Sequence, residues 1–94
     1  MYSLRYTETA IKHIKGIRDR RERGKIKDRI KKLKTDPFMQ SKPLRGELEG
    51  LRCVRAVGQR YRVLFAVEND PPVVTIHFAG IRKEGTRTTS TVKP

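Results

Sequence analysis

Tryptophan is missing from the chain, cysteine occurs once, and aromatic residues make up only 6% of its 94 positions. With Cys53 alone, no internal disulfide can form, and a reducing compartment suits such a chain. No apolar run approaches the roughly 20 residues needed to cross a bilayer. The start, Met1-Tyr2-Ser3-Leu4-Arg5, lacks the apolar stretch of a signal peptide. A cytoplasmic protein without a membrane partner is therefore expected. Two isolated histidines and no Cys/His cluster leave no ligand set for a metal, and no cofactor is expected. Acidic residues are also scarce: 10 Asp and Glu face 23 Lys and Arg, a formal charge of +13. A charge of that size repels itself on folding, and the usual reason for it is a polyanionic partner. RNA is the first candidate.

What is present is periodic enough to fold as one domain over residues 1–94. Tyr2 to Tyr6 carries β-favouring residues, enough for a short first strand. Thr7 then offers a capping oxygen. Ala10, Ile14 and Ile17 recur at helical spacing. Ile26, Ile30 and Leu33 repeat it in a second helix ending near Thr35, with Gly24 as the expected break between the two. From Lys12 to Lys34 there are 12 basic residues against Asp19, Glu22 and Asp28, a net +9 on the wet helix faces. Phe38 to Gly50 reads as a loop. Three strands follow, Leu51 to Val57, Arg60 to Val67 and Val73 to Ala79, joined by short turns into an antiparallel meander. From Gly85 the periodicity ends, and 85–94 is expected to be a flexible tail. The order β-α-α-β-β-β predicts an α+β fold: a four-stranded antiparallel sheet with both helices on one face and the other face open.

Alternation assigns the side chains of that open face. Tyr61, Val63, Phe65 and Val67 suit the core, which turns Arg62 outward; Val54 and Ala56 do the same for Cys53 and Arg55. On the last strand Val74, Ile76 and Phe78 are expected inward and His77 outward, with Arg82 just beyond the end. Arg55, Arg62 and Arg82 together would form a phosphate site, because guanidinium forks match phosphate oxygens.

The run Lys42-Pro43-Leu44-Arg45-Gly46-Glu47-Leu48-Glu49-Gly50-Leu51, then Arg55, then Tyr61-Arg62-Val63-Leu64-Phe65, then Gly80-Ile81-Arg82 resembles the RelE/ParE superfamily of toxins from toxin–antitoxin systems, and its RelE branch above all. The resemblance implies a ribosome-dependent messenger-RNA endonuclease that works without a metal, through attack of the ribose 2′-OH on the adjacent phosphate. It implies as partners the ribosome, messenger RNA and an acidic, RelB-like cognate antitoxin. It also implies a toxin–antitoxin complex that can be heterotetrameric and bind DNA through the antitoxin.

Arg55, Arg62 and Arg82 carry the catalytic expectation, with Arg52, Lys83 and Arg87 as RNA contacts. Arginine stabilises a phosphorane well but does not give up its proton near neutrality, so a base must come from elsewhere. His77 is the possible acid or base. The chain departs from the type member where Cys53 and Arg55 replace a pair of lysines, and Thr88 falls near the place of a tail tyrosine. Two alternatives stay open: a ParE-like inhibitor of DNA gyrase, and a noncatalytic RNA-binding module.

Overall fold

The computed structural model describes residues 1–81, so the expected tail 85–94 lies outside the described residues. The elements are β1 (Ser3–Tyr6), α1 (Glu8–Lys15), α2 (Arg20–Lys32), β2 (Lys42–Pro43), β3 (Arg52–Ala56), β4 (Tyr61–Asn69) and β5 (Pro72–Ile81), with a single 3-10 turn at Gly46–Leu48. None of the described helices is long and apolar enough to cross a membrane.

Local chemistry sets the helix ends. The Thr7 hydroxyl accepts from the Ala10 N–H at 3.0 Å and opens α1. Gly16 closes it, donating to the carbonyls of Lys12 and Ile14. The Asp19 carboxylate accepts from the Arg21 and Glu22 N–H groups at 2.8 and 3.3 Å and opens α2. The break thus falls at 16–19, not at Gly24, which sits inside α2. A capping carboxylate contributes about 1 kcal/mol, enough to offset the similar cost of one glycine within a helix. The second helix ends at Lys32, with Leu33 as its cap, short of the expected Thr35.

The meander β3–β4–β5 forms as its short turns dictate, with Ala56 opposite Tyr61 and Asn69 opposite Pro72. The sheet nevertheless differs from the expected four antiparallel strands. It has five, in the order β1-β5-β4-β3-β2, and it is mixed. The two helices carry the chain away from β1, and β1 ends up parallel to β5, the last strand, with Leu4 opposite Val74 and Tyr6 opposite Ile76. Lys42–Pro43, read as loop, adds a two-residue edge strand antiparallel to β3. An edge tolerates Pro43, which has no N–H to donate.

One cluster forms the core. Ala10, Ile14, Ile26, Ile30 and Leu33 from the helical side meet Val54, Val63, Phe65, Val74 and Ile76 from the sheet. The β4–β5 ladder contains a bulge: Phe65 pairs with Ile76 and Leu64 with Phe78, so His77 is an extra residue on β5. Beyond it the alternation is inverted. Phe78, expected in the core, moves to the opposite face, and Ala79 takes the inward place at 2% exposure.

Glu22 ties α2 to the start of β4. The Tyr61 hydroxyl donates to its Oε1 at 2.7 Å and Arg60 Nη1 to its Oε2 at 2.6 Å. The hydrogen bond to the Glu22 carboxylate, reinforced by burial, pushes the Tyr61 phenol above its ordinary value of 10.0. A raised phenol pKa stabilises the fold in full below the unfolded value, and this contribution is lost as pH rises through the folded one. Tyr61→Phe should therefore be less stable than the parent at pH 8, and the gap should close as pH rises past about 10. Urea melts of both proteins across that range check it; a constant gap would refute it.

Candidate nucleic-acid interface

The sheet register brings side chains from four strands into rows. Lys42, Cys53, Leu64 and Phe78 stand opposite one another in one row, and Arg55, Arg62 and Gly80 in the next. Val54, Val63 and Ala79 alternate with them and are buried in the core, so both rows lie on the face turned away from the helices. Arg55 and Arg62 are direct cross-strand partners, and both are exposed. Like charges in that relation weaken a sheet. The pairing does not serve the sheet, and this makes Arg55 and Arg62 the candidate site on this face.

Each arginine is steadied from the side. Arg55 Nη1 donates to Gln59 Oε1 at 3.0 Å. The Arg62 guanidinium lies 5.9 Å from the centre of the Phe78 ring. His13 meets that ring edge-on at 4.7 Å, and its Nδ1 accepts from the Ala79 N–H at 3.4 Å. His13 is thus a support for β5. Glycine at position 80 is a space requirement, because a Cβ there would stand 2.9 Å from Phe78 Cζ. If this face binds RNA, as the sequence leads one to expect, Gly80→Ala should displace the ring and weaken that binding about two- to fivefold, the worth of one exposed cation–π contact. Binding titrations beside Phe78→Leu test this, and unchanged affinity in both variants would dismiss the ring as a support.

Next to the paired arginines lies a cleft of about 490 Å³ whose lining includes Arg29, Gln40, Lys42, Cys53, Arg55 and Arg62. β2 covers β3 only at Arg52 and Cys53. At the uncovered edge beyond, Arg29 reaches from α2 and donates from Nε to the Arg55 carbonyl at 3.3 Å, and from Nη1 to Gln40 Oε1 at 2.5 Å. Burial pulls the Arg29 guanidinium below its ordinary value. Among the described residues no carboxylate lines the cleft. Among the described residues the one ion pair, Arg60 with Glu22, lies elsewhere.

The other sequence candidates fare differently. Arg52 is turned to the helix side, as alternation requires. It donates to Ser41 Oγ at 2.6 Å and to the carbonyls of Ser41 and Phe38, and lies 5.1 Å from the Phe38 ring centre. Its guanidinium clamps the loop that leads into β2 and does not share the face of Arg55 and Arg62. His77 is the half-buried bulge residue. Arg82, Lys83, Arg87 and Thr88 lie outside the described residues. Sequence reasoning missed Arg29 and Lys42, and no local signal separates either from the many other cations around them. Among the described residues no three His, Cys, Asp or Glu groups gather in a way that could hold a metal ion.

No family sequence model and no curated protein matches the chain. Solved structures do. A chain of the RelBE toxin–antitoxin complex from Mycobacterium tuberculosis aligns at 27% identity and a TM-score of 0.77, covering 86% of this chain and 98% of that one. The YoeB/ParE toxin from Agrobacterium tumefaciens aligns at 21% identity and a TM-score of 0.72, over 85% and 98% of the two chains. The isolated Escherichia coli RelE toxin shares the fold at 21% identity and a TM-score of 0.72, over 86% and 84%. The two helices on one face of a five-stranded mixed sheet, with basic residues on the other, are the architecture of a small toxin domain. The chain belongs to the RelE/ParE superfamily of toxins.

Proposed function

We propose that this toxin is a ribosome-dependent endonuclease of messenger RNA, silenced by an acidic, RelB-like cognate antitoxin. The observation that carries the reading is the exposed cross-strand pair Arg55–Arg62 beside a cleft that, among the described residues, is lined by cations and no carboxylate. In the reaction the ribose 2′-oxygen attacks the adjacent phosphorus and loses its proton to a base. The bond from phosphorus to the 5′-oxygen breaks, that oxygen takes up a proton, and a 2′,3′-cyclic phosphate remains. Charge peaks on the pentacoordinate phosphorus oxygens between these events. Arg55 and Arg62 meet that charge with forked N–H donors held in place before the reaction begins. Arg82 joins them in this reading, and Lys83 and Arg87 hold RNA beyond the site. His77 is the titratable group offered for proton transfer, since the arginines keep their protons. The basic helix surface docks ribosomal RNA through its phosphates, without reading sequence.

Cys53 supports the competing reading, a ParE-like inhibitor of DNA gyrase, because it stands where the RNA-cleaving type member has a lysine. One experiment separates the two. Purified protein is added to ribosomes programmed with messenger, and the 3′ ends are mapped. Cleavage of ribosome-bound messenger leaving cyclic phosphate ends is expected. Intact messenger together with gyrase trapped on DNA would overturn the endonuclease reading. RNA binding with neither effect would leave a noncatalytic RNA-binding module.

A further inference from the structure

The proposed reaction uses the Arg55–Arg62 end of the cleft and leaves Arg29 and Lys42 without a task. We infer that these two form a second phosphate subsite, which holds the phosphate next to the scissile one on a single RNA strand. The inference rests on the reading of Arg55 and Arg62 as phosphate ligands, and it does not require that the RNA be cut.

Position is the first argument. Lys42 pairs with Cys53, one strand across from β3 and two residues along from Arg55. Strand spacing and residue rise place the two backbone positions roughly 8 Å apart on the same face. Long side chains can adjust that interval to consecutive phosphates of one strand. Arg29 approaches the same cleft from α2, so the second phosphate would meet a fork from one side and an ammonium from the other.

Electrostatics is the second. The Arg29 guanidinium is partly withdrawn from water and, among the described residues, spends two of its donors, on the uncharged oxygens of Gln40 and the Arg55 carbonyl. Neither Arg29 nor Lys42 pairs with a carboxylate among the described residues. Holding two unneutralised cations beside two more costs stability, and an anion in the cleft would offset that cost. The anchoring is also specific. Gln40 receives Arg29 and in turn donates to the carbonyls of Lys32 and Asp36 at 2.7 and 3.0 Å, so the guanidinium is aimed before any ligand arrives. The run Arg62, Arg55, Lys42 across three neighbouring strands follows a polynucleotide backbone better than the scattered carboxylates of an acidic protein, and RNA is the occupant assigned.

The test uses 2′-deoxy trinucleotides, which bind without being cleaved. One carries two charged linkages; two isomers each carry one linkage replaced by a neutral methylphosphonate. Affinity is read by fluorescence anisotropy at fixed salt. In the parent protein, neutralising either linkage should weaken binding about tenfold. In Lys42→Ala the penalty for one of the two linkages should shrink to about threefold, and in Arg29→Gln with Lys42→Ala to less than twofold, while that for the other linkage, held by Arg55 and Arg62, stays near tenfold. Lys42→Arg should retain the parent's tenfold penalty. Lys42 lies on an exposed edge, so its variants keep the test readable even if the change at Arg29 disturbs folding. A tenfold penalty that survives at both linkages in Lys42→Ala overturns the subsite. So does a loss of affinity for oligoglutamate in that variant with oligonucleotide discrimination intact, which would hand the cleft to an acidic protein. Because cleavage is never read, failure here is distinct from failure of the endonuclease reading.

Discussion

Replacing Arg55 and Arg62 together by alanine is expected to lower single-turnover messenger cleavage by about a thousandfold or more. A preorganised donor aimed at developing negative charge is worth on the order of a hundred- to a thousandfold in rate. Two donors acting on one phosphate will not contribute independently. Arg62→Lys should recover only part of the loss, because an ammonium supplies charge without the planar fork. Both side chains are exposed and make no ion pair among the described residues, so the melting temperature should stay within a few degrees of the parent. Expression of the double variant should no longer arrest growth. Full activity in the double variant would remove these arginines from the mechanism.

Phe65→Ala should have the largest effect on stability. The ring is fully buried at the centre of β4 and belongs to the one core cluster that joins both helices to the sheet. Removing a buried phenylalanine side chain costs about 3–5 kcal/mol through lost burial and the cavity left behind. A domain of this size holds roughly 5–15 kcal/mol in total. The melting temperature should fall by roughly 12–30 °C, a span that follows from the unfolding entropy of a chain under 100 residues. Calorimetry checks the magnitude. A shift under about 5 °C would mean that the core repacks around the gap, contrary to the close packing expected of it.

How far the sequence reached can be argued from single positions. Thr7 announced the start of α1 because a capping hydroxyl acts locally, and the meander was legible because its turns are short. Gly24 misled because glycine was weighed without Asp19, whose carboxylate caps α2 and fixes the break upstream. The parallel place of β1 and the pairing of Lys42–Pro43 are long-range facts, settled by where the core puts the strands. Arg55 and Arg62 were found by alternation because β3 and β4 stay in register with each other. The same rule failed for Phe78, since a bulge of one residue at His77 leaves no mark in composition. Arg29 was hidden for another reason: its role depends on Gln40 and on a strand edge that forms only in the folded chain.

The alternation of β3 and β4 also divides labour within each strand. Val54 and Val63 hold the fold, while their immediate neighbours Arg55 and Arg62 face the cleft. Under the proposed endonuclease reading, selection on catalysis and selection on folding act on separate sets of codons. Drift at the arginines can then produce a silent protein that still folds, so loss of activity in such a gene would leave no trace in the stability of its product.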